Sequence, residues 1–197
     1  MGKVNLMLFA LIALVFSSNA QSSEWVTDKM HSHIGFNIAH MGISLVAGRF
    51  DDFSGKFSIS NEKDLSTGQV QIDIKVNSIN TDVLPRDEDL RSPNFFDMVK
   101  YPEIKYVSTK IERSVGDTYR ITGNLTMHGV TKPVALDVVY LGQAYEPQMK
   151  VQKAGFIVKG VINRDDFGIT YNAMLPSGAP MIGREVFLNI SFEFIKK

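Results

Sequence analysis

The chain has 197 residues, a formal net charge of zero and no cysteine. The lack of cysteine excludes disulfide bonds and thiolate catalysis, and without a block of basic residues we expect no nucleic-acid partner. The length after the first twenty residues suits one domain with a sizeable core.

Residues 1–20 are predicted to be a cleaved secretory signal peptide. Lys3 supplies a positive start, residues 4–16 are almost entirely apolar, and Ser18-Asn19-Ala20 resembles a small-x-small cleavage site. The apolar run is shorter than the roughly 18 residues of a membrane-spanning helix, although an uncleaved anchor is the alternative. We therefore expect a periplasmic domain over residues 21–197 without stable membrane insertion.

Alternation of apolar and polar residues predicts about eight strands in this domain. Turn sequences at Val115-Gly116-Asp117 and His128-Gly129-Val130 predict hairpins between successive strands. No βαβ rhythm is visible, so the pattern indicates an antiparallel all-β domain, either a barrel or a sandwich. Sequential hairpins favour an up-and-down barrel. The alternating segments are residues 34–38, 50–60, 70–76, 104–113, 118–128, 134–140, 156–162 and 186–194.

Two segments interrupt the alternation. Residues 40–48 suit a short helix or a turn between strands. Residues 78–102 form a longer excursion, in which Pro85 suits the first turn of a short helix that Thr81 or Asp82 could cap. This excursion is too rich in Leu, Phe and Tyr to be a disordered linker, so we expect it to form a lid or mouth at one end of the barrel.

The predicted interior is apolar. A barrel of about eight strands can be filled by side chains or can enclose one small ligand, and an apolar lining favours an apolar ligand. The alternative is a filled core in an interaction module. The candidate lining and mouth residues are Phe36, Ile38, His40, Phe53, Phe57, Ile72, Ile74, Phe95, Phe96, Tyr101, Leu125, Met127, Leu136, Val138, Phe156, Val158, Leu188 and Ile190.

A series of different short motifs follows one another along the domain. They include His31-Ser32, Gly48-Arg49-Phe50, Ser78-Ile79-Asn80-Thr81, Arg86-Asp87, Asn94-Phe95-Phe96-Asp97, Tyr101-Pro102, Gly123-Asn124-Leu125-Thr126, His128-Gly129-Val130-Thr131, Arg164-Asp165 and Phe167-Gly168. In this order and spacing the chain resembles the YceI-like family, bacterial lipocalin-like proteins associated with polyisoprenoid binding.

The resemblance implies an extended eight-stranded antiparallel lipocalin-like barrel with one or two short helices. It also implies non-catalytic binding, carriage or sequestration of an isoprenoid lipid, such as a polyprenyl phosphate, a polyprenyl pyrophosphate or an isoprenoid quinone. The isoprenoid chain of the lipid would lie in an apolar tunnel of the barrel, with the head group of the lipid near the mouth. No cofactor is expected. A homodimer is compatible with this reading.

Four arginines are candidates for contact with such a head group. Guanidinium groups suit a pyrophosphate because they donate two parallel hydrogen bonds. Structural ion pairs with neighbouring aspartates are the alternative for each. The candidates are Arg86, Arg91, Arg164 and Arg184.

A metal-dependent enzyme is the alternative function. His31 and His33 lie on one face of a predicted strand, a spacing that suits a metal, whereas His40 is offset by an odd number from both. We assign no metal ligand and no catalytic residue, since the sequence contains neither a Gly-x-Ser-x-Gly elbow nor a His-Glu-x-x-His motif.

Overall fold

The computed structural model describes residues 22–197, and the predicted signal peptide lies outside the described residues. Short 3-10 helices cover Leu65–Thr67, Val76–Ser78 and Arg164–Phe167. None of the helices in this part of the chain is both long and apolar enough to cross a bilayer. The strands and the α-helix are β1 (Ser23–Thr27), β2 (His33–His40), β3 (Ser44–Phe50), β4 (Phe53–Ile59), β5 (Gly68–Lys75), β6 (Ile79–Asn80), α1 (Leu84–Arg91), β7 (Glu103–Arg113), β8 (Thr118–Met127), β9 (Val130–Glu146), β10 (Val151–Asn163) and β11 (Ile182–Lys196).

Eight strands form a closed antiparallel barrel. Their order is β1-β4-β5-β7-β8-β9-β10-β11, and the ring closes where β1 pairs with β11, with Trp25 opposite Lys196. Closure gives each of these strands two neighbours, which removes the open edges that invite aggregation. The predicted all-β, eight-stranded antiparallel barrel is confirmed.

The remaining three strands lengthen the barrel at one end. Strand β11 pairs with β1 near its own C-terminus and with β2 over most of its length, from Ile182 opposite His40 to Ser191 opposite His33. Strand β3 then pairs with β2, and β6 pairs with β3. Strands β1 and β2 therefore act as one interrupted strand, and β3 and β4 as another.

Alternation along the strands separates the interior from the outer surface. On β10, Val158 is buried whereas Val161 is half exposed, because successive side chains point to opposite faces. At the end formed by β1 the interior is filled, with Trp25 only 1% exposed and Ile59 only 2% exposed. The barrel is thus closed at this end by its own side chains.

Two hairpins show how local sequence sets the turns. His128 and Gly129 both have positive φ, 51° and 76°, between the paired residues Met127 and Val130. Two positive-φ residues are typical of a type I′ turn, so the predicted hairpin is confirmed. The helix considered for residues 40–48 does not form, because β2 continues to His40 and β3 resumes at Ser44 after a tight turn.

The predicted helix in the excursion is present as α1, with Pro85 in its first turn. The predicted capping by Thr81 or Asp82 is wrong. The N-cap residue is Val83, and Asp87 on the helix accepts hydrogen bonds from the backbone N and the Oγ1 of Thr81, at 2.8 and 2.6 Å. This link ties α1 to the chain that leaves β6.

Candidate functional site

A cavity of about 740 Å³ lies inside the barrel. Its volume is within the range of small-molecule pockets, roughly 300–1,000 Å³. The interior is therefore not filled, which contradicts the filled-core alternative. Wall residues Val83 and Tyr171 are 44% and 45% exposed, so the cavity reaches the surface at the end opposite Trp25.

Most of the residues predicted from alternation lie together in the cavity wall. They come from β2, β4, β5, the excursion, β8, β9, β10 and β11, so the wall draws on nearly the whole ring. The predicted residues that line the cavity are Phe36, Ile38, His40, Phe57, Ile72, Ile74, Phe95, Phe96, Leu125, Met127, Leu136, Val138, Phe156, Val158, Leu188 and Ile190.

Two predicted lining residues lie elsewhere. The ring of Phe53 packs edge-on against Phe192, with centroids 6.1 Å apart, and it is Phe192 that lines the cavity. The ring of Tyr101 packs against His128 at 4.6 Å. Tyr101 therefore fixes the end of the excursion to the β8–β9 turn instead of facing the cavity.

Three phenylalanines form the floor of the cavity. Phe57 lies 6.0 Å from Phe156 and 6.2 Å from Phe194, and the last two are 5.9 Å apart, measured between ring centroids. Edge-on and tilted aromatic pairs of this kind stabilise one another beyond the area they bury. Below them lies Trp25, which does not line the cavity.

The mouth is formed by segments that alternation could not assign. Residues 169–182 contribute Ile169, Tyr171 and Met181 to the wall, although they lie largely outside regular strands. These residues show no alternation of apolar and polar side chains, so the sequence did not indicate which of them face the interior. Ile104 and Tyr106 were also missed, although their alternation on β7 is the signal that finds them.

Arg164 is the most buried of the candidate arginines, at 4% exposed, and it lines the cavity. Its Nε donates to the carbonyl of Gly183 at 2.9 Å, and its Nη1 donates to the carbonyls of Ile169 and Tyr171 at 2.6 and 2.9 Å. Burial lowers the pKa of this guanidinium from its ordinary value. Arg164 thereby fixes the loop that forms one side of the mouth.

Arg86 also lines the cavity, but both of its hydrogen bonds go to Thr81, at 2.7 Å to Oγ1 and 2.8 Å to the carbonyl. Arg91 and Arg184 do not line it. Arg91 donates to the carbonyls of Asn77 and Ile79, at 2.9 and 2.7 Å. These hydrogen bonds supply partners for backbone carbonyls at and just before β6.

Arg184 is 71% exposed, and its Nε lies 3.1 Å from Asp165 Oδ2. This is one of the structural ion pairs considered from the sequence. An exposed pair of this kind adds little to stability.

The three histidines considered for a metal are not brought together. His40 lines the cavity near its mouth, whereas the Nδ1 of His31 lies 2.8 Å from Asp28 Oδ2. Within residues 22–197, ligand atoms that lie within 4.8 Å of one another come from Asp28, His31 and Glu193.

An ammonium group already lies among these carboxylates. The Nζ of Lys153 is 2.8 Å from Asp28, 3.2 Å from Glu193 and 3.2 Å from Glu146. Burial alone would raise the pKa of Asp28, but hydrogen bonds from Lys153 and His31 lower it to about 2. The cluster is an ion-pair network that joins the β1–β2 interruption to β10 and β11.

The comparisons with known proteins agree with this architecture. Protein YceI of Salmonella arizonae is 40% identical over 171 residues, which cover 85% of this chain and 88% of that protein. The YCEI protein of Campylobacter jejuni superposes with a TM-score of 0.69 at 32% identity, covering 86% of this chain and 96% of that one.

Two more distant structures share the fold. Burkholderia cenocepacia BcnA gives a TM-score of 0.73 at 20% identity over 85% of this chain and 98% of its own. A polyisoprenoid binding domain from Saccharophagus degradans, implicated in plant cell wall breakdown, gives 0.63 at 18% identity over 90% of this chain and 100% of its own. The model of the YceI-like domain matches residues 25–194. This chain therefore belongs to the YceI-like domain family.

Proposed function

We propose that this chain binds a long apolar lipid of the isoprenoid class in the barrel cavity, and that it carries or sequesters this lipid in the periplasm after export. The observation that carries the proposal is the cavity of about 740 Å³, whose wall is composed almost entirely of aliphatic and aromatic side chains. Such a wall favours an apolar ligand.

The energetics support a lipid tail as the occupant. Burial of apolar surface contributes about 25 cal/mol per Å², so a tail that buries roughly 300 Å² gains on the order of 7 kcal/mol. This gain can offset the loss of translational freedom and the ordering of the tail. The polyisoprenoid binding named for the Saccharophagus degradans domain adds support for the isoprenoid class.

Binding without catalysis agrees with the state of the polar groups in the wall. The hydroxyl of Tyr106 donates to the carbonyl of Ile121 at 3.1 Å, and burial raises its pKa to about 12, so it is not a base near neutral pH. The hydrogen bonds of Arg86 and Arg164 go to protein groups that shape the mouth. These hydrogen bonds tie the polar groups of the wall to neighbouring protein groups.

The test is lipid analysis of freshly purified protein. We expect native mass spectrometry to show a bound species, and organic extraction to release a prenyl lipid in up to one equivalent per chain. Protein stripped of lipid should take up an added prenyl probe. A barrel that is purified empty and takes up no prenyl probe would contradict the proposal, and a straight-chain fatty acyl lipid as the sole bound species would contradict the isoprenoid class.

A further inference from the structure

Two segments at the mouth of the barrel contain no acidic or basic side chain apart from His40. Residues 40–48 and 169–183 have no Asp, Glu, Lys or Arg, although these four residue types make up 21% of the whole chain. The fold brings the two segments together, since the backbone N of Met41 donates to the carbonyl of Met181 at 2.7 Å. His40 and Met181 also line the cavity. We call these two segments the lip, because together they form one side of the mouth.

The second segment of the lip is a hydrogen-bonded projection. The backbone N of Met181 donates to the carbonyl of Ala173 at 2.8 Å, which folds the intervening residues back on themselves. At its base the side-chain amide of Asn172 donates to the carbonyl of Ile182 at 2.7 Å and accepts from the backbone N of the same residue at 3.0 Å. Residues 176–180 at the tip are all exposed. The lip is therefore a shaped surface that stands out from the barrel.

Large apolar side chains of the lip face solvent. Ile43 is 83% exposed and Met174 is 63% exposed. Apolar side chains that are exposed together mark a site of contact with a protein or a membrane. The exposed large apolar residues of the lip are Met41, Ile43, Leu45, Tyr171 and Met174.

The charges that border the lip are paired with one another. Arg49, directly after the first segment, lies 2.9 Å from Asp51 and 3.0 Å from Asp82. Arg184, directly after the second segment, lies 3.1 Å from Asp165. These pairs leave little net charge beside the lip, so a strongly charged partner gains no long-range attraction there. The lip is suited to a partner that is recognised by apolar contact.

A lipid bilayer fits this surface better than a protein does. Protein interfaces are enriched in Arg and carry about ten hydrogen bonds, and stable ones draw on about 20–30 residues from each partner. Five exposed apolar side chains on an uncharged lip are far fewer. Aliphatic side chains can instead enter the boundary between head groups and acyl chains, while the ring of Tyr171 suits the membrane–water interface. Under the proposed function, the mouth beside the lip is also where a lipid must pass.

We propose that the lip docks reversibly on the surface of a lipid bilayer, with Ile43 and Met174 inserted among the lipids, and sets the mouth of the barrel against the bilayer. The choice of a bilayer as the partner rests on the proposed function, and the inference goes beyond it by naming the surface on which the ligand is exchanged. Docking is peripheral, since only side chains enter the bilayer. Because apolar burial drives it, docking needs no anionic lipid and depends weakly on salt.

The test is flotation of the purified protein with vesicles of pure phosphatidylcholine. We expect the wild type to float with the vesicles, and the double variant Ile43→Asp/Met174→Asp to partition at least tenfold more weakly. Addition of anionic phosphatidylglycerol, or a rise in salt from about 0.1 to 0.5 M, should change the partition of the wild type less than threefold. Failure of the wild type to float, flotation only with phosphatidylglycerol, or equal flotation of the double variant would overturn the inference.

Val115→Asp is the matched control, and its partition should stay within twofold of the wild type. Val115 is an aliphatic residue that is 81% exposed, much like Ile43. It lies in the turn between β7 and β8, at the opposite end of β8 from the turn at His128, whose Nδ1 lies 3.1 Å from the carbonyl oxygen of Phe167 beside the mouth. An equal loss of flotation in Val115→Asp would show that any added negative charge prevents binding, and would overturn the role of the lip.

A second measurement does not depend on how the aspartate variants fold. The chain has no cysteine, so Ile43→Cys and Val115→Cys each accept a single environment-sensitive fluorophore. We expect vesicles to shift the emission to the blue from position 43 and to leave it unchanged from position 115. No shift at position 43, or equal shifts at both, overturns the inference. A dimer in sedimentation velocity that Ile43→Asp/Met174→Asp abolishes would assign the lip to a second copy of the chain and overturn it too.

Uptake of a prenyl probe keeps this inference separate from the proposed function. Geranylgeraniol delivered from cyclodextrin reaches the cavity without a bilayer, so the wild type and Ile43→Asp/Met174→Asp should bind it equally. Normal uptake without flotation overturns the docking inference and leaves the proposed function standing. Flotation without uptake contradicts the proposed function and supports docking by the lip.

Discussion

The rings of Phe95 and Tyr171 lie 5.1 Å apart and join the two irregular segments that form the mouth of the barrel. Phe95 is only 6% exposed and belongs to the core, whereas Tyr171 is 45% exposed. An aromatic pair of this kind contributes about 0.5–1.5 kcal/mol beyond its buried area. The contact is thus weak enough to break during the ligand exchange that the proposed function requires.

Replacement of Tyr171 should open this contact without unfolding the barrel. We expect Tyr171→Ala to release a bound fluorescent prenyl probe several-fold faster, while the free energy of unfolding changes by less than about 1 kcal/mol, because the lost contact is half exposed. Stopped-flow displacement measures the release rate. Tyr145→Ala is the control, since Tyr145 is exposed and does not line the cavity; equal release rates in the two variants would refute a gating contact.

A larger side chain at Leu188 should block the cavity. Leu188 lines the cavity, so a tryptophan at this position would extend into its volume of about 740 Å³. We expect Leu188→Trp to weaken prenyl binding at least tenfold and to lower the melting temperature by no more than about 4 °C, which corresponds to roughly 1 kcal/mol for this size. Titration and calorimetry measure the two effects.

The neighbouring residue provides the control for that variant. Phe187 lies on the same strand, points to the outer face and is 41% exposed. Phe187→Trp should therefore leave prenyl binding unchanged, because successive residues of a strand face opposite sides. Loss of binding in both variants would show that tryptophan perturbs β11 as a whole, and the cavity would not be the cause.

Stability at acidic pH should depend on Asp28. Its pKa is lowered to about 2 in the folded protein from an ordinary value of 3.8, so its stabilising contribution is fully present above 3.8 and is lost as the pH falls towards 2. We expect the free energy of unfolding of the wild type to fall more steeply across this interval than that of Asp28→Asn. Urea unfolding at a series of pH values measures both slopes, and parallel curves would contradict the assignment.

Trp25 should be more important for its ring than for its indole N–H. It is only 1% exposed, and its Nε1 has no hydrogen-bond partner within residues 22–197. We expect Trp25→Ala to cost about 3–5 kcal/mol, as for other large core aromatics. Trp25→Phe should cost clearly less, because it keeps an aromatic ring and removes an unsatisfied donor. Similar losses in urea unfolding of the two variants would show that the indole N–H has a role this structure does not explain.

Alternation is a local property, and it was sufficient to predict an antiparallel all-β domain; the closed barrel was favoured by the sequential hairpins and implied by the family resemblance. Val158 and Leu188 were placed on the interior face from their period alone, and the strand pairing agrees with that placement. Alternation could not identify Tyr171 as a wall residue, because in an irregular loop the position of a residue does not determine whether its side chain faces the interior. Tyr101 was misplaced for a related reason: its partner, His128, is brought near by the turn after β8.

Charged residues were harder to predict than apolar ones. The buried Lys153 is paired with Asp28, which is 125 residues away in the sequence, and no local sequence pattern predicts such a pairing. Among the arginines, the sequence could name the candidates but could not separate Arg164, which is buried in the cavity wall, from Arg184, which is exposed. Distinguishing them requires knowing which carbonyls the folded loop presents.

The filled end around Trp25 makes the barrel a blind tube with a fixed depth. Under the proposed function, a lipid would enter and leave only by the mouth, tail first on the way in and head first on the way out. A tail shorter than the tube leaves empty volume above the phenylalanine floor, and a longer one must leave its excess outside. Under the proposed function, the distance from this floor to the mouth would set how much of a lipid tail the cavity can enclose.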